Sequence, residues 1–220
     1  MDYSTCRSPR TWPMGHVYSF CRGKGLDPTT TVNAVWAMVL WEYTSEENIT
    51  FPSQNRTDET HVWYNCEASI DWSSKMSSVL QNVYSSTKQV SGPATNTDHS
   101  FLSQRSPVLN TVTVFQKGDP CCTESVLEGT HFTALVCNLP ETALECAVHF
   151  AHAVIDRKQA ERLAAAFAHV MDLVLSSTDE TLDSVDIVSD HDKAEVSVPT
   201  QPSATHTFLG VTADRIQVHA

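Results

Sequence analysis

The chain has 220 residues, a net charge of −12, an apolar fraction of 41% and a charged fraction of 18%. These values fit one globular domain that can bury a sizeable core, and they exclude a chain disordered throughout. The acidic balance argues against nucleic acid or an anionic membrane surface as a partner, because both need clustered Lys and Arg.

Taken in order, Met1 to Gly15 lacks an apolar core of signal-peptide length, and no stretch approaches a membrane span, so a cytoplasmic location is expected. His16 to Gly25 reads as a short helix closed by Gly25, followed by the breaker Leu26-Asp27-Pro28. Thr29 to Phe51 begins with a helix, Thr30 to Tyr43, whose apolar residues Val32, Val35, Trp36, Val39, Leu40 and Tyr43 make one broad buried stripe. Thr30 or Thr31 is its expected cap. Asn48 to Phe51 should be a strand, Pro52 to Glu59 a polar loop, and Trp63 to Ile70 irregular or a partial strand.

Asp71 to Val90 is again helical in pattern, with Asp71 or Ser73 near its cap and Trp72, Met76, Val79, Leu80, Val83 and Tyr84 on one stripe. Ser91 to Asn110 is a long polar stretch. Asn110 to Gln116, Thr130 to Asn138 and Ala143 to Phe150 are strand candidates, and Leu139-Pro140-Glu141 joins the last two as an antiparallel pair. Asp156 to about Ser176 is the longest helix, with Asp156 and Gln159 spaced as a capping box. Asp172 to Glu195 is rich in carboxylates with Lys193 as its base, the composition of a solvated helix end and linker more than of an acidic docking patch. Helices mixed with strands, without regular alternation or repeats, predict an α+β fold: a mixed β-sheet with packed helices.

The seven cysteines, Cys6, Cys21, Cys66, Cys121, Cys122, Cys137 and Cys146, form no CxxC pair, so reduced thiols are expected, with neither a disulfide framework nor a zinc site. Cys121-Cys122 reads as a vicinal pair on a turn with no basic neighbour to activate it. His131 and His149 sit in strand candidates and read as structural histidines, and no spacing supports a metal. Trp36, Trp41, Trp63 and Trp72 read as core or interface residues.

Four segments, in the same order, resemble the C-terminal half of nonribosomal peptide synthetase condensation domains. They are Thr29 to Phe51, Pro107 to Gln116 (PVLNTVTVFQ), Thr133 to Val174, and Thr181 to Val196 (TLDSVDIVSDHDKAEV). The resemblance spans roughly residues 15–196 and implies a single lobe of the chloramphenicol-acetyltransferase-like, CoA-dependent acyltransferase fold. Residues 1–14 are then expected as a flexible N-terminal segment and 197–220 as a flexible tail. The family's other lobe carries the paired-histidine motif HHxxxDG, which does not occur here, and the family's glycine before Arg56 is replaced in Ser53-Gln54-Asn55-Arg56.

Within that family an acyl thioester is joined to an amine, both carried on phosphopantetheine arms. The resemblance therefore implies a peptide natural-product pathway, no bound cofactor, and a synthetase subunit or carrier protein as partner, with a homo-oligomer through the exposed lobe face as the alternative. It places Asn110 beside the acyl channel. His152-Ala-Val-Ile-Asp156 has HxxxD spacing, the one pattern resembling acyl-transfer chemistry, with His152 as base and Asp156 holding the backbone. Against that role, Asp156 is already a good helix cap, and strand-end and cap duties are the expected ones.

Overall fold

The computed structural model describes residues 2–56, 61–89, 111–116, 133–139, 142–177 and 179–185. Among them are strands β1 (Tyr3–Arg7) and β2 (Trp12–Pro13), helices α1 (Met14–Lys24) and α2 (Pro28–Thr44), and strands β3 (Asn48–Arg56) and β4 (His61–Ser69). Helix α3 (Met76–Ser86), strands β5 (Lys88–Gln89), β6 (Thr111–Gln116), β7 (Thr133–Asn138) and β8 (Ala143–Ala151), and helix α4 (Arg157–Ser176) complete the order. The strands form one mixed sheet in the order β1-β8-β7-β6-β3-β4-β5, with β2 beside β8. Pairs β3–β6 and β6–β7 are parallel, and the remaining pairs are antiparallel. The architecture is the α+β mixed sheet with packed helices that the pattern predicts.

Strand alternation splits the sheet into two faces. One face, with Phe51, Cys66, Phe115, Leu135, Val148 and Phe150, joins residues from all four described helices in a single core cluster. On the other face Val112, Val114, Ala134 and Val136 form a second small cluster against Tyr3 and Trp63. The central position of α2 explains why Thr30 through Trp41 are all buried, not only the expected stripe. It touches the sheet on one side and α1, α3 and α4 on the others, and a helix apolar around its circumference belongs in such a place.

That position also requires buried polar groups to be paired. Asn33 Nδ2 donates to Ser53 Oγ at 3.1 Å, and Thr113 Oγ1 donates to Asn33 Oδ1 at 2.7 Å, tying α2 to β3 and β6. Trp36 Nε1 donates to Thr111 Oγ1 at 3.2 Å. Trp36 and Trp41 lie in the core, with Trp72 packed edge-on to Trp41 and Trp63 against the second cluster.

Several boundaries differ from the sequence expectation. Helix α2 is capped by Asp27, whose carboxylate accepts from Thr30 N at 2.9 Å, with Pro28 in the first turn; Thr30 and Thr31 are inside the helix. The run expected as a loop after Phe51 continues β3 to Arg56. Pro52 pairs with Asn65 of β4 and lies just before the stretch, Ser53 to Asn55, that pairs with β6. His61–Ser69 is a full strand along β3, not irregular chain. Helix α3 starts at Met76, later than expected, because Asp71 closes a turn by accepting from Ser73 N at 2.8 Å.

The segment expected as flexible, 1–14, supplies β1 and β2. Tyr3–Arg7 pairs with Ala151–Ala147 of β8, a contact invisible to local patterning because its partner lies far along the chain. Helix α1 ends as expected on Gly25 at φ +67°, where a side chain would strain the backbone. Helix α4 has the full capping box: Asp156 accepts from Gln159 N at 2.7 Å, and Gln159 Oε1 accepts from Asp156 N at 2.9 Å. Beyond α4, Leu182 is buried, and its N–H donates to Ser74 O at 3.0 Å, docking residues 179–185 on the turn before α3.

Candidate functional site

The pattern with possible chemistry, His152 and Asp156, lies where β8 turns into α4. Ala151 to Val154 forms the turn, closed by Val154 N donating to Ala151 O at 2.9 Å, which carries the chain away from the end of β8. Strand β1 runs alongside and places Ser4 opposite Phe150. As a result Ser4 Oγ and His152 Nε2 lie 2.7 Å apart on the protein surface. The imidazole also packs edge-on to Phe150, with ring centroids 5.2 Å apart, and His152 N donates to Asp2 O at 3.1 Å.

Asp156 does other work. Its side chain accepts from the helix it caps, and its carbonyl accepts from Ala160 N at 3.1 Å. The HxxxD spacing thus joins two residues with separate partners: His152 is bonded to Ser4 and Asp156 to the first turn of α4. A general base needs a ring nitrogen in reach of a substrate proton, and Nε2 of His152 is engaged by Ser4. The Asp156 carboxylate holds the first turn of α4.

His149 is buried on the second face of the sheet, with Nδ1 3.3 Å from Thr5 Oγ1. It is a hydrogen-bonded structural histidine, as its place in a strand suggests. Among the described residues no group of three or more His, Cys, Asp or Glu side chains could hold a metal ion. Asn110, His131, Cys121 and Cys122 lie outside the described residues. So do 186–220, including the expected tail.

One pair of cysteines was not brought together by the sequence alone. Cys137 on β7 and Cys146 on β8 are directly opposed, with Sγ atoms 2.9 Å apart in the core. Burial, and after it the neighbouring Cys137 thiol, push the Cys146 thiol well above its ordinary pKa. The antiparallel pairing was expected, but a turn made of Leu139-Pro140-Glu141 would set Cys137 opposite Ala143; the observed register, three residues longer, sets it opposite Cys146. Arg56 donates through Nε to Gln54 Oε1 at 2.6 Å.

No helix of the described residues is long and apolar enough to cross a membrane. No protein-family model matches the sequence, and no curated protein matches it. Solved structures do. The X-domain from teicoplanin biosynthesis in complex with OxyB superposes with a TM-score of 0.64 at 16% identity, covering 86% of this chain and 49% of that one. The first condensation domain of the calcium-dependent antibiotic synthetase, bound to a substrate analogue, gives 0.58 at 11% identity, with 86% and 49% covered. The starter condensation domain of rhizomide synthetase gives 0.53 at 10% identity, with 86% and 48% covered. The chain spans about half the length of each. The likeness shows the fold: a mixed sheet with packed helices of the condensation-domain type.

Proposed function

We propose that this chain is the C-terminal lobe of a condensation-type fold in nonribosomal peptide biosynthesis, and that it works by binding protein partners without catalysing condensation itself. The observation that carries this reading is the engagement of His152: its Nε2 lies 2.7 Å from Ser4 Oγ, while Asp156 caps α4. A general base needs a ring nitrogen in reach of a substrate proton, and Ser4 takes up Nε2 here. The absence of HHxxxDG from the sequence agrees with it.

The similar structures support the pathway and the binding role together. They include condensation domains and an X-domain solved in complex with OxyB. By the same reasoning, the partner here is a peptide synthetase subunit or carrier protein, whose phosphopantetheine arm would bring any substrate. A lobe that matches about half of a two-lobed fold has a face that its counterpart would cover.

Affinity capture with the tagged chain from extracts of its source cells tests this reading. Recovery of a synthetase subunit, identified by peptide mass and rebinding as a purified protein, is the expected result. A monodisperse monomer that binds neither synthetase nor carrier contradicts it, and a stable homodimer would assign the face to self-association.

A further inference from the structure

Cys137 and Cys146 are Cα partners within the antiparallel β7–β8 ladder, flanked by the paired residues Val136–Ala147 and Asn138–Glu145. Opposed residues in such a ladder have Cα atoms about 4.5–5.5 Å apart, inside the roughly 4.4–6.8 Å that disulfides span. Their sulfurs already lie 2.9 Å apart, closer than two non-bonded sulfurs ordinarily approach. The other described cysteines are engaged elsewhere: Cys21 with Thr31 Oγ1 at 3.2 Å, Cys66 with Thr87 Oγ1 at 3.8 Å, and Cys6 with Arg157 O at 3.9 Å.

We propose that Cys137 and Cys146 are an oxidation site, forming a reversible cross-strand disulfide when a peroxide reaches the folded protein. One sulfur gives up its proton and attacks a peroxide oxygen, which gives a sulfenic acid and one water; burial, which disfavours the Cys146 thiolate, makes this step slow. The second sulfur then displaces the hydroxyl as another water. Two S–H bonds are lost, one S–S bond forms, and hydrogen peroxide takes up the two electrons and two protons. Burial of both thiols excludes bulky thiol reagents, so the site selects a small, neutral oxidant. The link closes the β7–β8 hairpin covalently in the interior of the sheet, where neither strand is an edge.

The test is peptide mapping of the full chain after hydrogen peroxide treatment, blocking of free thiols in denaturant, and cleavage after glutamate. Glu141 and Glu145 separate the two cysteines onto different peptides. The expected product joins the Cys137 peptide to the Cys146 peptide, and dithiothreitol releases both. The peroxide dose is set as one that forms disulfides in the urea-unfolded chain, where mixed pairings should appear. Recovery of Cys137 and Cys146 from the folded chain as blocked thiols or as higher sulfur oxides, or of either linked to another cysteine, overturns the proposal.

Discussion

Trp12 Nε1 donates to Asp172 Oδ1 at 2.8 Å, fastening β2 to the last turns of α4 across 160 positions of sequence. The indole is buried edge-on to Phe167, with ring centroids 5.9 Å apart. Asp172→Ala should destabilise the fold by about 1–2 kcal/mol, chiefly by stranding that donor. Arg10, which reaches the other carboxylate oxygen at 2.7 Å, is 66% exposed, so Arg10→Ala should change stability by only about 0.5 kcal/mol or less. Urea denaturation of the two variants separates the contributions, and equal losses would refute this division.

Asn33 holds α2 to two strands at once, through Ser53 and Thr113. Asn33→Ala leaves both hydroxyls in the core with a partner removed, and a loss of roughly 2–3 kcal/mol is expected. Removing Ser53 and Thr113 in the same chain, as Ser53→Ala and Thr113→Val, should add less than their separate costs, because the three groups form one network. Additive losses in denaturation experiments would show that the network is not a unit.

Asp27 caps α2 with a carboxylate whose pKa lies below its ordinary value. Burial works to raise it, but hydrogen bonds from Thr29 and Thr30 outweigh burial and lower it. A folded-state pKa below the unfolded one gives stability that is complete above about pH 4 and is lost as pH falls through the folded value. Asp27→Asn keeps a capping oxygen and should flatten that part of the acid titration of stability. Asp27→Ala should cost about 1 kcal/mol at neutral pH. An unchanged acid profile in Asp27→Asn would contradict this assignment.

Much of the framework was legible in local chemistry. The Asp156–Gln159 box, the left-handed Gly25 and the β7–β8 pairing follow from residues a few positions apart. The N-terminal strand was not legible, since Tyr3–Arg7 is held by β8 about 145 residues away and has no strong strand signature of its own. The burial of α2 on every side depends on neighbours that periodicity does not report. At the candidate site, the sequence places His152 and Asp156 at a tempting spacing. Only β1, folded back along β8, brings Ser4 to the imidazole.

The surface bond between Ser4 and His152 has a modest structural role. His152→Ala should alter stability by about 0.5 kcal/mol or less, because both groups can hydrogen-bond to water when separated. A loss several times larger in thermal or urea unfolding would give the pair a structural weight that its exposure does not suggest.

The most direct test of a lobe without catalytic chemistry of its own is a condensation assay. The purified chain is mixed with an acyl group and an amino-acid acceptor, each loaded on a phosphopantetheine-bearing carrier protein, and amide formation is followed by mass spectrometry. The account predicts product at the uncatalysed background, the same for the parent chain and for His152→Ala. Turnover above background that His152→Ala abolishes would contradict it.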